Sequence, residues 1–579
     1  MRNFMPRNHD IWTQPNNRGL NGIKIYLLMD NDLKIFCTNT GEYIDCAGGE
    51  TLQHVYERIK DRIGFNPISV LVNNRDKHIT YPLYGPKHVQ FLDRNSTQGR
   101  RAYIRSLCMV LYKAVTDLLP GKRLIVQHSI GKGYFCTFKH NHAAVEGTTI
   151  KTIKTRMKEI VAEDLPFVRY ERPTKELIEM FRQQGLNDKV RLLAHSTAIY
   201  TVYYQLGTLI DSFHGPLAPS TGHLSTFDLV PYKDGMLLLG PDPDNPTVPA
   251  KAGKHEKIYN AFLEGKTFNA INSVSDVSEL NCAILNKQAT QIIDVAETLH
   301  SQTLSNIASE IARRFKKGGA RMILIAGPSA SGKTTTTRRL ATHLKTKFLK
   351  PKMISLDNYA VPRVETPLDE NGEWDFENIN AVDRQLFNRD MAELLAGKEV
   401  KMPTFNFETG CREYRGEVRK LEPDDIVLLE GLHCLNPELT EFIPEEQKFR
   451  IYISVLTTLN IDDHNWISTS DCRLLRRIMR DHKTRGFSAK ETIERWPSVR
   501  KGEEKWIFPF QENADAIFNS SIICELAVMK NYALPILEQV PPNMPEHSEA
   551  HRLLTFIKSF YPIDSKEVPR TSVLRDYLI

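Results

Sequence analysis

The stretch RMILIAGPSASGKTTTTRRLATHL, Arg321 to Leu344, decides how this chain folds. Met322 to Ala326 is an apolar run of strand length, and Lys333 to Leu344 has the composition of a helix. Between them lies the pattern G-x-x-x-x-G-K-[ST], Gly327 to Thr334. Its chemistry follows from its geometry. Gly327 and Gly332 let backbone N–H groups close around phosphates without Cβ clashes, and the following helix turns its positive end toward them. Lys333 reaches the outer phosphates, and the Thr334 hydroxyl is a Mg²⁺ ligand. Ser329, Ser331 and Thr335 complete the set expected around a bound nucleotide.

Working outward, PKMISLD (351–357), DDIVLLEG (424–431) and KFRIYISVL (448–456) are further strand segments separated by helical patterns. Such alternation predicts a parallel α/β sheet with right-handed crossovers. Asp357 and Glu430 end two of these strands. Ligand crevices of open α/β sheets lie at the carboxyl ends of the strands, so both acids are expected beside Lys333, to serve a metal or accept a proton. DCRLLRRIMRDHKTRG (471–486) sets Arg473, Arg476, Arg477 and Arg480 at i, i+3, i+4 and i+7 on one helix face. Phosphoryl transfer needs such cations. The plainer alternative is a solvated basic face paired with Asp471, Asp481 and Glu491.

In order, GPSASGKTT, SLDNY, PTFNF, VLLEG and RLLRRIMRD resemble the uridine kinase/phosphoribulokinase family, nucleoside kinases being the closer branch, from about Arg321 to Asn531. The resemblance implies hydroxyl-to-phosphate transfer from ATP with Mg²⁺, and a place in pyrimidine salvage. It implies Asp357 as general base, Tyr359 at the substrate, Glu377 (in DFENIN) on a ribose diol and Glu430 assisting the metal. It further implies Arg473 at the substrate and Arg476 and Arg480 at phosphates. The family's base-reading segment runs Pro-x-Tyr-x-Phe, with a His three residues on. Here Pro403-Thr404-Phe405-Asn406-Phe407 is followed by Gly410. Phe405 and Phe407 keep an aromatic surface for a flat ring, while two polar contacts are gone.

Upstream, strands are expected at IKIYLLM and LKIFC around the turn Asp30-Asn31-Asp32, a helix over Thr51–Ile63, then strands ISVLVNN and HVQFLD. This is a β-grasp-like module. A helix over 100–119 ends at Pro120-Gly121, GPDPDNP (240–246) marks a boundary, and a helix over 286–316 carries a stripe of Ile292, Val295, Leu299, Ile307 and Ile311. RRAYIRSLCMVLYKAV, PGKRLIVQHSIGKGYFCTF and HGPLAPSTGHLSTF resemble the TGS and second additional domains of threonyl-tRNA synthetases over residues 21–240. The metal-type residues of that region fall here on Arg105, Met109, Phe213 and Leu217. These positions imply neither zinc nor editing chemistry. His128, His140, His142 and His195 stand at other spacings and read as ordinary histidines.

The expected organisation is therefore a disordered tail (1–20), a TGS-like domain (21–93), a synthetase-like α+β domain (94–250), a helical connector (251–318) and a P-loop kinase domain (319–579). The whole resembles uridine-kinase-like fusion proteins. Composition agrees: 579 residues suit several domains, and 41% apolar with 25% charged residues suits a soluble protein. A net charge of +6 suits an anionic ligand without arguing for extensive nucleic-acid contact. Nine scattered cysteines lack any C-x-x-C pair, and reduced thiols fit a cytoplasmic setting. No apolar run approaches membrane-spanning length, and the first twenty residues lack a signal-peptide core. The expected activity is ATP- and Mg²⁺-dependent phosphorylation of a nucleoside 5′-hydroxyl. Two alternatives stay open: a kinase for another sugar or polyol, and an RNA-binding or regulatory protein that senses nucleotide. RNA binding by the N-terminal half has no support in the sequence, and homo-oligomerisation is left open.

Overall fold

The computed structural model describes residues 32–139, 143–370 and 372–578. The expected tail, the strand IKIYLLM, His140 and His142 lie outside the described residues.

In the first module, Asp32–Cys37 pairs antiparallel with Glu42–Ala47 and parallel with His88–Leu92, and Ser69–Val72 and Arg75–Lys77 complete the sheet. The helix Leu52–Ile63 starts at Thr51, whose hydroxyl accepts from the His54 N–H at 3.4 Å, and stops at Gly64 in the left-handed region. Leu52, Val55 and Ile59 are buried against Val70 and Phe91. The arrangement is β-grasp-like. Asp32 opens the strand that contains LKIFC, and the chain reverses at Thr38–Gly41, where Gly41 has a φ of 71°; Asp30 and Asn31 of the expected turn lie outside the described residues.

The helix Thr97–Leu118 is buried along most of its length, which is why its apolar residues outnumber those of a single face. The helix Gly147–Ala162 and a four-stranded antiparallel sheet (Leu124–Ile130, Gly133–Phe138, Asp228–Tyr232, Gly235–Leu239) share its core. Within that core Met109, Phe213 and Leu217 pack together. Arg105 donates to the Pro216 carbonyl at 3.1 and 2.9 Å and lies 3.7 Å from Asp76.

The second half is built on five parallel strands: β1 (Met322–Ala326), β2 (Lys350–Ser355), β3 (Asp425–Glu430), β4 (Lys448–Ser454) and β5 (Ala516–Asn519), in the order β2-β3-β1-β4-β5. β1 is buried on both faces, as its unbroken apolar run requires. Met322 and Leu324 face Phe387, Met391, Ile258 and Phe262. Ile323 and Ile325 face Leu340 and Leu344 of helix α1 (Lys333–Lys345) and Leu304, Ile307 and Ile311 of the helix Ala289–Lys316. The segment expected as a connector thus supplies cover to both faces. Its stripe is rotated from the expected one. Val295 is 38% exposed, while Ile293, Ala296, His300 and Leu304 join Ile292, Ile307 and Ile311 inside.

A loop after β4 ties the two halves together. Lys189, almost fully buried, lies 2.9 Å from both Asp211 and Asp462. His464 Nδ1 is 2.7 Å from Asp211, and Asp463 meets Arg123 and Lys139 at 2.6 and 3.0 Å.

Candidate functional site

The chain leaves β1 into the loop Gly327–Thr334. A Cβ on Gly327 would stand 2.1 Å from the Ile453 carbonyl, and Gly332 has a φ of 82°, so neither position accepts another residue without strain. Lys333 opens α1. Its Nζ lies on the loop itself, donating to the Gly327 and Pro328 carbonyls at 2.8 and 3.3 Å. Burial pulls its proton affinity down, and the carboxylates of Glu430, Asp357 and Glu377 oppose that.

Register explains how the acids meet. Glu430 pairs with Ile325 on one side and Ser355 on the other, so β3 ends level with β1 and two residues before Asp357. Thr334 donates from Oγ1 to Glu430 Oε1 at 3.0 Å, while Glu430 Oε2 is buried without a hydrogen-bond partner. A hydroxyl beside a half-satisfied carboxylate is a donor set suited to a hard divalent cation. Asp357 is exposed, but the surrounding protein partly desolvates its carboxyl and raises its pKa, with Lys333 and Arg485 opposing. Glu377 is pushed up to about 7, first by burial and then by Glu503, with Arg477 and Lys333 opposing. One Glu377 oxygen is buried and unpartnered.

The arginine stripe lies on helix α2 (Thr469–Arg485), and its members have separate surroundings. Arg477 donates from Nη1 to Ser329 Oγ at 2.7 Å. Arg480 pairs with Asp481 at 2.8 Å and acts electrostatically on Lys333. Arg473, expected at the substrate, is buried. It binds Glu503 of helix α3 (Ala489–Trp506) and the Ser329 carbonyl, the latter at 2.9 Å. Arg476, expected at phosphates, is also buried, against Glu525 and the Ser520 carbonyl, 2.9 Å away. Ser520 in turn donates to the Ser331 carbonyl at 2.6 Å. In this conformation Arg473 and Arg476 brace the loop from behind. Of the acids set against the stripe, Asp481 pairs with it. Asp471 pairs with Arg552, and Glu491 caps α3 through Ser488.

Tyr359, expected at the substrate, is wholly buried, its ring 5.3 Å from Phe387 and its hydroxyl beside Asp390. It is therefore packed inside, while Asp357 two residues earlier is exposed. Phe405 and Phe407 lie on a hairpin (Thr404–Asn406 with Cys411–Glu413), tied to Asn358 through the Phe405 N–H at 3.3 Å. Their rings meet edge to face, 5.3 Å apart at 72°, and Phe407 is 65% exposed. The two therefore cannot stack face-on against one ring in this arrangement. Gly410, with φ of 69°, packs against the Arg363 side chain, which donates to the Phe407 carbonyl at 2.5 Å. Sequence reasoning missed Glu503 entirely. It takes the Ser329 N–H at 2.9 Å, and an acid within a charged helix carries no local signal for that contact.

A phosphate loop at the head of a five-stranded parallel sheet, flanked by two strand-end acids, defines a P-loop phosphotransferase fold. The sequence model of the Phosphoribulokinase / Uridine kinase family matches residues 322–524, and this segment carries a kinase domain of that family. The uridine kinase of Ligilactobacillus salivarius (strain UCC118) is 28% identical over 197 residues, covering 34% of this chain and 83% of that protein. The uridine kinase of Halobacterium salinarum is 28% identical over 195 residues, 33% of this chain and 77% of that protein. The N-terminal region is similar to the threonine–tRNA ligase of Desulforamulus reducens, 29% identical over 192 residues, 33% of this chain. The chain spans only 30% of that ligase's length. Among the described residues no helix is long and apolar enough to cross a membrane.

Proposed function

We propose that the protein transfers the γ-phosphoryl group of ATP to a primary hydroxyl of a nucleoside, with uridine and cytidine first among acceptors. The observation that carries this reading is the convergence of Lys333, Asp357 and Glu430 at the strand ends, with Thr334 hydrogen-bonded to Glu430. The loop N–H groups and Lys333 would hold the phosphates, and Arg477 and Arg480 would supply charge beside them. Asp357 is exposed with a raised proton affinity, which suits it to accept the proton of an attacking hydroxyl. Thr334 and Glu430 would hold Mg²⁺, which when bound neutralises charge on the phosphate oxygens. Glu377 would face the acceptor's diol.

A second reading, a sugar or polyol acceptor, draws support from the hairpin. Gly410 carries no side chain, and Phe407 points its ring to solvent. A coupled assay of ADP release over nucleosides, sugars and polyols tests both. Turnover with uridine or cytidine supports the first reading. Turnover confined to a sugar or polyol supports the second, and silence across the panel rejects both.

A further inference from the structure

The segment Val573–Leu578 packs on the flank of the phosphate loop. Asp576 Oδ2 accepts from Thr335 Oγ1 at 2.6 Å, and the Tyr577 hydroxyl donates to the Ala330 carbonyl at 3.1 Å. A Cβ on Gly332 would meet Val573 at 2.4 Å, and the Arg476 guanidinium lies 5.0 Å from the centre of the Tyr577 ring. The segment is held firmly. Val573, Leu574, Tyr577 and Leu578 are buried, and Lys483 donates to the Leu578 carbonyl at 2.5 Å.

A phosphate loop binds anions through N–H groups and hydroxyls left free for them. Thr335 directly follows the proposed metal ligand Thr334, and its hydroxyl has one proton to give. Here that proton goes to a carboxylate belonging to the same chain. A nucleotide phosphate approaching Thr335 meets a competing acceptor and a like charge. Each makes binding weaker than the loop alone would allow. Tyr577 fixes Asp576 there through two anchors, its hydroxyl on Ala330 and its ring on Arg476.

We propose that Asp576 is an affinity-setting residue of the nucleotide site, competing with the nucleotide's phosphate for the Thr335 hydroxyl, and that Tyr577 positions it. The proposal rests on reading Gly327–Thr335 as a nucleotide seat. The ligand class is a nucleoside di- or triphosphate. Because Lys333 rather than Thr335 reaches toward the outermost phosphate, ADP and ATP should feel Asp576 alike.

The test measures dissociation constants of MgADP and MgATP by calorimetry on the full chain, for wild type, Asp576→Asn, Asp576→Ala, Thr335→Val and the double variant Thr335→Val/Asp576→Ala. Melting temperatures of the nucleotide-free proteins are recorded alongside. The expected result is about three- to tenfold tighter binding of both nucleotides by the Asp576 variants. That gain should vanish in the Thr335→Val background, because the two residues act as one pair. Tyr577→Phe should give a smaller gain of the same sign. If the wild type binds nucleotide and folded Asp576 variants bind no tighter, the proposal is overturned, and Asp576 is only a structural partner of Thr335. If the wild type and every Asp576 variant bind neither nucleotide, the nucleotide-seat reading fails and this proposal falls with it.

Discussion

Arg477 reaches the phosphate loop, donating from Nη1 to Ser329 Oγ at 2.7 Å, although its neighbour Arg476 turns into the core. The two residues should therefore fail differently. Arg477→Ala should fold normally and lose turnover by about 10²-fold, the loss typical of a removed charge at a transition state. Arg476→Ala leaves Glu525, which is 2% exposed, without its counter-charge. A broken buried pair costs about 3–5 kcal/mol, so the variant should be visibly destabilised in urea. Thermal melts beside steady-state rates check both. An Arg476→Ala protein as stable as wild type would contradict the bracing role.

Lys333 and Asp357 should separate binding from chemistry. Lys333→Ala should leave the fold intact and cut phosphoryl transfer by about 10²-fold or more. Asp357→Asn should keep ATP affinity near wild type while turnover falls sharply, because an amide cannot take the acceptor's proton. Calorimetric ATP binding is the deciding measurement. If affinity collapses together with turnover, Asp357 serves the nucleotide or the metal instead.

Glu377 gives a pH signature. Its carboxyl is pushed up to about 7 in the folded protein, chiefly by burial, from an ordinary value near 4.5. A raised folded value means the folded state holds the proton more tightly. The resulting stability is complete below the unfolded value and is lost as pH rises through the folded one. Glu377→Gln removes this dependence. The melting temperature of Glu377→Gln relative to wild type should therefore rise between pH 5 and pH 8. A difference that stays flat over that range would show that Glu377 is ionised throughout.

The parts of the site that were legible in the sequence are those set by backbone geometry. Gly327, Gly332 and Lys333 can occupy only a tight strand-to-helix turn, and Asp357 and Glu430 stand where strands must end. What was not legible depends on partners far along the chain. The spacing of Arg473 and Arg476 shows one helix face but not that Glu503 and Glu525, 30 and 49 residues later, meet them. Tyr359 follows Asp357 closely enough to suggest a shared role, yet the 3-10 turn Leu356–Tyr359 points it inward. The loop 460–466 gave no signal at all, since its polar residues read as solvated until the N-terminal half is packed against them.

That loop carries a prediction of its own. Lys189 is 1% exposed and holds Asp211 and Asp462 together across the two halves. Lys189→Met should destabilise the protein by about 3–5 kcal/mol, because two buried carboxylates lose their cation. Asp462 is already pushed up to about 6 by burial, despite Lys189. Without Lys189 it should climb further and take a proton in mild acid. The destabilisation should thus shrink between pH 8 and pH 5, as read from denaturant midpoints. A penalty that stays constant or grows on acidification would contradict this, because loss of Lys189 raises the proton affinity of both Asp462 and His464.

The acceptor should be read loosely. Polar partners are what discriminate between similar substrates, because a buried group left unpaired is costly. The hairpin offers none at Gly410, where Arg363 packs and spends a donor on the Phe407 carbonyl. Phe405 and Phe407 meet edge to face, so at most one can stack on a base while the other closes its edge. Stacking tolerates exchange of a carbonyl for an amine. Uridine and cytidine should therefore be phosphorylated with kcat/KM values within about tenfold of each other, a gap of ~1.4 kcal/mol. Glu377 is proposed to act at the other end of the acceptor. If it holds the ribose diol, deoxyuridine should be the poorer substrate, and Glu377→Gln should narrow that difference while leaving the uridine-to-cytidine ratio unchanged. The measurement is kcat/KM for uridine, cytidine, deoxyuridine, ribulose 5-phosphate and simple polyols. A strong preference for one base would place a polar reader outside the hairpin. Turnover of polyols alone would remove the stacking role of the two phenylalanines, while leaving Lys333, Asp357 and Glu430 in their roles.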